Sequence, residues 1–168
     1  MTQRFGNLER IASVEQSYSL EGEDRIALSL LRNIDADNFP IYYLDIGANH
    51  PTHGNNTRLF YDLGYKGICI DPLEELKEKY LTKRKRDVFL CKGIASEKGK
   101  SRFTIFEDNT ASSCHKETAT RYKKKFKIRE EVFIDMITID DIRNYVPQIQ
   151  KTIPLVSIDI EGLDESVL

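Results

Sequence analysis

The groups in this 168-residue chain whose types and spacing could do chemistry are acids that close apolar runs. Asp45 stands within Ile41-Tyr42-Tyr43-Leu44-Asp45-Ile46, and Gly47-Ala48-Asn49 follows directly. Small residues at the C-terminal end of a strand let a ligand approach the backbone, and open α/β sheets bind their ligands there. A dinucleotide-binding loop needs only backbone amides facing a pyrophosphate. A carboxylate at its base repels phosphate and favours a cation. Asp71 closes a second run, Gly67-Ile68-Cys69-Ile70, just ahead of Pro72. It falls roughly 20 residues after the first turn, where a doubly wound fold places an acid to accept ribose hydroxyls. Asp71 also suits the N-cap of a helix whose first residue is Pro72, and one carboxylate can serve both roles. A ligand with a ribose, a positive charge and no phosphate fits this pair of acids. S-adenosylmethionine (SAM) has those features; NAD and ATP do not.

A third pair, Asp159 and Glu161, ends the last apolar run, Leu155 to Ile160. Two residues apart on an extended chain, they project to one side, into the same crevice as Asp45 and Asp71. Together with His50 and His53 of the first loop they are the candidates for a general base. Each has a plainer use: Asp159 can satisfy the start of a following helix, and the histidines can be ordinary loop residues. A magnesium site from Asp159, Glu161 and a histidine is chemically conceivable. Nothing in the spacing demands one, and no metal is assigned.

Alternating strands and helices must position these groups. Ile41–Ile46, apolar throughout, suits a strand buried on both faces. Glu23 to Ile34 carries Ile26, Ala27, Leu30, Leu31 and Ile34 at helical spacing, with Glu23 and Asp24 in its first turn. The spacing predicts a helix ended by residues 35–40, which finish in Pro40. Further helices are expected over 57–63, stopping at Gly64, and from Pro72 to about Lys83 with Leu73, Leu76, Tyr80 and Leu81 inward. The Lys83-Arg84-Lys85-Arg86 tetrad reads as a solvated basic last turn. Asp87 to Ala95 reads as a third strand, hairpin-like with 102–106, Glu131 to Ile139 as another, and Asp140 to Val146 as a short helix. This succession implies a parallel sheet with right-handed crossovers. Residues 1–40 then form an arm and helix, and 41–168 the core. Between them and the last strand, Arg121, Lys123, Lys124, Lys125, Lys127 and Arg129 make a basic tract. A solvated face is the favoured account of it, and a lid over an anionic substrate the sharper one.

One domain of this length can bury its own core. A net charge of -2 gives no global pull toward nucleic acid or anionic membrane. The odd number of cysteines, Cys69, Cys91 and Cys114, lacks metal-ligand spacing and suits a reducing compartment, and no stretch is apolar enough to span a bilayer. A cytoplasmic protein is expected. The apolar last strand wants neighbours on both sides, yet Leu168 follows closely. The expectation is a domain cut short at its C-terminus, marginally stable alone, that pairs through this edge, for example as a homodimer.

The ordered set of motifs resembles the FkbM family of SAM-dependent methyltransferases. It comprises Glu21-Gly22-Glu23-Asp24-Arg25-Ile26, Asp45-Ile46-Gly47-Ala48-Asn49 with Asn56-Thr57, Gly67 to Pro72, Gly93-Ile94-Ala95-Ser96, Ser112-Ser113, and Ser157 to Gly162. The first loop departs from many members, since His50-Pro51-Thr52-His53-Gly54 intervenes. The resemblance implies a Rossmann-like class I methyltransferase fold and methyl transfer to a hydroxyl of a sugar, glycan or polyketide-like acceptor. It also implies that Asp45, Gly47 and Asn49 meet the methionine end of SAM, Asp71 the ribose, and the backbone near Ile94-Ala95 the adenine. An inactive SAM-binding or interaction module is the alternative.

Overall fold

The computed structural model describes residues 16–31, 33–34, 38–149 and 151–160. Most of the expected N-terminal arm, Glu161 and the residues after it lie outside that set. In chain order the elements are α1 (Glu23–Leu31), β1 (Tyr43–Ile46), α2 (Arg58–Asp62), β2 (Gly67–Ile70), α3 (Leu76–Lys83), β3 (Val88–Leu90), β4 (Gly93–Ile94), β5 (Gly99–Phe106), a 3-10 turn (Asn109–Ala111), α4 (Lys116–Tyr122), β6 (Ile128–Ile137), α5 (Ile142–Tyr145) and β7 (Leu155–Ile158).

β1 is the centre of a four-stranded sheet ordered β3-β2-β1-β7. All its pairings are parallel, with Tyr43 opposite both Gly67 and Leu155. Every residue of β1 and β2 is buried, as two covered faces require of a near-continuous apolar strand. The alternating strand and helix succession therefore gives a mixed α/β architecture with a parallel central sheet, Rossmann-like in its connections. Among the described residues β7 pairs only with β1, and Val156 is half exposed.

The third strand expected over 87–95 is two strands in two sheets. The chain leaves the parallel sheet after Leu90, and β4 pairs in parallel with β6. The hairpin-like partner of 99–106 is β6, antiparallel from Gly99↔Met136 to Phe106↔Ile128. The resulting β4-β6-β5 sheet packs Phe103, Ile105, Ile134 and Met136 into the same core as Tyr43, Leu73 and Tyr80.

Helix faces required two corrections. In α1 the buried residues are Asp24 and Leu28, while Ile26 and Leu30 face outward. Asp24 is turned inward because its carboxylate accepts from the Tyr18 amide at 2.7 Å and the Ser17 hydroxyl at 2.7 Å, an anchor for the preceding segment. In α3, which begins at Leu76 after a turn over 71–75, Leu76 and Tyr80 are buried but Leu81 is exposed. The stop of α2 is as expected: Gly64 has φ 103°, Tyr65 N–H donates to Phe60 C=O at 3.1 Å and Gly64 N–H to Tyr61 C=O at 2.9 Å. That is the paired closure of a left-handed glycine cap.

Candidate functional site

The C-terminal ends of β1, β2 and β7 and the inner face of the second sheet enclose a cleft of about 220 Å³. Asp45, Gly47, Asn49, Asp71, Ile94 and Asp159 all line it. His50 does not; its ring stacks on His53 at 4.9 Å, outside the cleft. Ala95 also lies off it and borders a separate depression with Glu97 and His115. The facing wall consists of Phe103, Thr110, Ser112, Cys114 and Ile134, of which only Ser112 belongs to a motif quoted from the sequence.

Gly47 was expected to admit a ligand to the backbone, but the structure adds a tighter constraint. With φ 79°, an added Cβ would overlap the Asp159 carbonyl oxygen, at 2.7 Å from its carbonyl carbon and 3.1 Å from Ile160 Cγ2. Gly47 N–H and Ala48 N–H both donate to Ile70 C=O, and Asp159 N–H donates to Ile46 C=O at 2.9 Å. The loop after β1 is thus wedged between the ends of β2 and β7. Asn49, at φ 43°, carries the turn onward.

Asp71 fixes that turn from below. Its Oδ2 accepts from Asn49 N–H at 2.9 Å and its Oδ1 from Leu73 N–H at 2.9 Å, so the carboxylate joins two loops of the cleft. Burial pushes the Asp71 carboxyl up to about 6, against the pull of the Leu73 and Asn49 amides. Each oxygen has a further lone pair for an outside donor.

Asp45 is buried at the floor. The Thr57 hydroxyl donates to its Oδ2 at 2.6 Å, and Ser157 stands opposite it in the β1–β7 pairing. Burial raises the Asp45 pKa, opposed by Thr57, by the charge of Arg84 and by Ser157. Asn56, next to Thr57 in sequence, reaches Ser157 Oγ with its Nδ2 at 3.1 Å. Asn55 ties the loop together: its Nδ2 donates to Ala48 C=O at 2.9 Å, and its Oδ1 accepts from Thr57 N–H at 3.1 Å.

Behind this floor lies a residue expected to be solvated. Arg84 has a fully buried side chain paired through Nε with Asp87 Oδ2 at 2.6 Å. Its tetrad neighbour Arg86 lies over Tyr61 at 3.8 Å and donates to the Tyr61 carbonyl. Four like charges in a row carry no signal of which one turns inward. What selects Arg84 is three-dimensional, namely Asp87, Asn55, Thr57 and the rings of Tyr43, Tyr61 and Tyr80.

The basic tract stays off the cleft. Lys123 pairs with Glu131, Lys127 with Glu107 and Arg129 with Glu75. Among the described residues no three His, Cys, Asp or Glu side chains converge as metal ligands would. Nor, among them, is any helix long and apolar enough to cross a membrane.

A parallel sheet with an acid-floored glycine turn at its carboxyl edge, and a second acid closing the next strand, gives the Rossmann-like architecture of a class I methyltransferase, and the match to a family model makes the chain a methyltransferase. The family model for the methyltransferase FkbM domain matches residues 45–168, and the chain belongs to that family. No curated protein and no solved structure matches it.

Proposed function

We propose that the protein is a SAM-dependent O-methyltransferase acting on a hydroxyl of an uncharged sugar, glycan or polyketide-like acceptor. The observation that carries this is the charge of the cleft: three aspartates line it, and among its described lining residues there is no Lys, Arg or His. Such a surface favours a cofactor of net positive charge and disfavours phosphate groups on either ligand. SAM, when bound, supplies an activated methyl group on a sulfonium. Asp45, Gly47 and Asn49 would hold its methionine end. The spare lone pairs of Asp71 would accept the ribose hydroxyls, and Pro72, Leu73 and Ile94 would flank the adenine.

The acceptor hydroxyl must be oriented in line and lose a proton. Asp159, at the mouth of the cleft beyond β7, is the first choice to orient it or take that proton. Glu161 and His50 are the next, one outside the described residues and the other off the cleft wall. Phe103 and Ile134 exclude water on the opposite side, and Thr110 and Ser112 offer hydroxyls to a polyol. Localisation in the cytoplasm suits the free thiols of Cys69, Cys91 and Cys114.

Calorimetry with SAM, S-adenosylhomocysteine and NAD is the direct test, followed by transfer of labelled methyl to neutral polyols. Binding of the first two and not of NAD is expected. Preference for NAD would reject the proposal, and SAM binding without turnover on any acceptor would reduce the protein to a SAM-binding module. Once an acceptor is known, Asp159→Asn should lower kcat; full turnover would move the base to Glu161 or His50.

A further inference from the structure

We infer that Arg84 is a positioning residue of the donor site, acting through the Thr57 hydroxyl on Asp45 and through Asn55 on the loop that follows β1. This deepens the SAM-binding role proposed above and rests on it. The guanidinium uses its whole fork. Nε donates to Asp87 Oδ2 at 2.6 Å, Nη1 to Asn55 Oδ1 at 3.0 Å, and Nη2 to Thr57 Oγ1 at 3.0 Å and Tyr43 OH at 3.1 Å. Of the two acceptors within reach of the Thr57 proton, Asp45 Oδ2 at 2.6 Å is much nearer than Asn55 Oδ1 at 3.3 Å, and with the proton there the Thr57 oxygen accepts from Arg84. The result is a continuous chain of donors, Arg84 to Thr57 to Asp45, running from a buried cation to the cleft floor.

The opposite side of Asp45 repeats the pattern with neutral groups. Asn56 Nδ2 donates to Ser157 Oγ at 3.1 Å, and Ser157 faces Asp45 across the β1–β7 pairing. Two hydroxyls, each held by an N–H donor behind it, thus flank one carboxylate, and both oppose the rise in its pKa that burial causes. The charges and titratable groups acting on Asp45 are Arg84 and Asp87 behind it, Asp71 across the cleft, and Cys69 and Tyr80 beside it. Arg84 is the cation in that set, and it opposes the burial of Asp45 both directly and through the Thr57 hydroxyl that it holds in place. A buried guanidinium must place five N–H donors, and beyond Asp87 and Tyr43 this one places them on Asn55 and Thr57, the residues that shape the cleft.

The test compares wild type, Thr57→Val, Thr57→Ser and Arg84→Lys in the whole chain. Three quantities are read: melting temperature, SAM dissociation constant between pH 5 and 9, and the titration of Asp45 followed by its carboxyl 13C shift without ligand. Thr57→Val removes the relay and leaves the Arg84–Asp87 pair in place, so it stays measurable if changes at Arg84 prevent folding. It should weaken SAM binding about tenfold at pH 7, the loss of one hydrogen bond to a charged group, with Thr57→Ser restoring it. Its Asp45 midpoint should move up, and part of the lost affinity should return at high pH. If Thr57→Val and Arg84→Lys lower the melting temperature while the Asp45 midpoint and the affinity of the folded protein stay at wild-type values, Arg84 is only a structural arginine and the inference falls. Should wild type fail to bind SAM, the proposed function falls instead. The Asp45 titration would still decide the relay, an unmoved midpoint in Thr57→Val overturning it.

Discussion

Replacing Asp71 by Asn should change how stability depends on pH. Both Asp71 oxygens accept backbone amides, at 2.9 Å each, and the residue is 6% exposed. Burial nevertheless raises its pKa to about 6 in the folded protein, against about 3.9 for a free aspartate. Because the folded value is the higher one, folding favours the protonated form. The associated stability is fully present below the unfolded value and is lost as pH rises through about 6. Integrated between pH 5 and 7, the loss comes to about 1 kcal/mol. Asp45, also raised, adds to the fall in the same direction. Urea unfolding at pH 5, 6 and 7 should therefore show wild type losing more stability over this range than Asp71→Asn, by about 1 kcal/mol. The variant should be less stable throughout, since its amide presents a donor to one of the two N–H groups. Parallel pH curves for the two proteins would refute the claim that Asp71 titrates in this window.

Three further outcomes are expected. Binding of SAM near pH 6 should release a proton from Asp71, seen as a dependence of calorimetric enthalpy on buffer that Asp71→Asn reduces. Gly47→Ala should cost more than 2 kcal/mol and displace the end of β7, because a left-handed backbone costs about 1–2 kcal/mol for an L-residue and the Asp159 carbonyl occupies the Cβ site. Gly64→Ala, with nothing near its Cβ position, should lose only the backbone part and leave SAM affinity unchanged; equal losses at the two sites would show that the wedge against β7 carries no weight. Lys124→Ala combined with Lys125→Ala should shift stability by less than about 0.5 kcal/mol and leave the KM for an acceptor unchanged. A raised acceptor KM would revive the idea of a cationic lid.

The parallel sheet was legible because β1 and β2 are short apolar runs with an acid or a glycine at their ends, and a strand covered on both faces has no other pattern. The second sheet was not. Residues 88–95 look like one strand, and only the pairing of Gly93 with Met136, far along the chain, reveals the break after Leu90. The phase of α1 was misread because a buried aspartate satisfied by Tyr18 and Ser17 is indistinguishable in sequence from one that favours a helix dipole. Within the cleft the acids stood out by position. Thr57 was visible only as part of a motif, and Asn55 and Arg84 not at all, since their roles come from hydrogen bonds that cross between the β1 loop and the end of α3.

The join between Asn56 and Ser157 spans 101 residues of chain. Closing a loop of that length costs about 4 kcal/mol in chain entropy before any contact rewards it. The β5–β6 pairing, between neighbours in sequence, is cheaper to nucleate and can form early. On this ordering β7, short and half exposed, docks late, and Asp45 acquires its Ser157 partner only then. A newly made chain would have a cleft wall before it had a cleft floor. The last event of folding would coincide with the first moment at which a cationic ligand could be held.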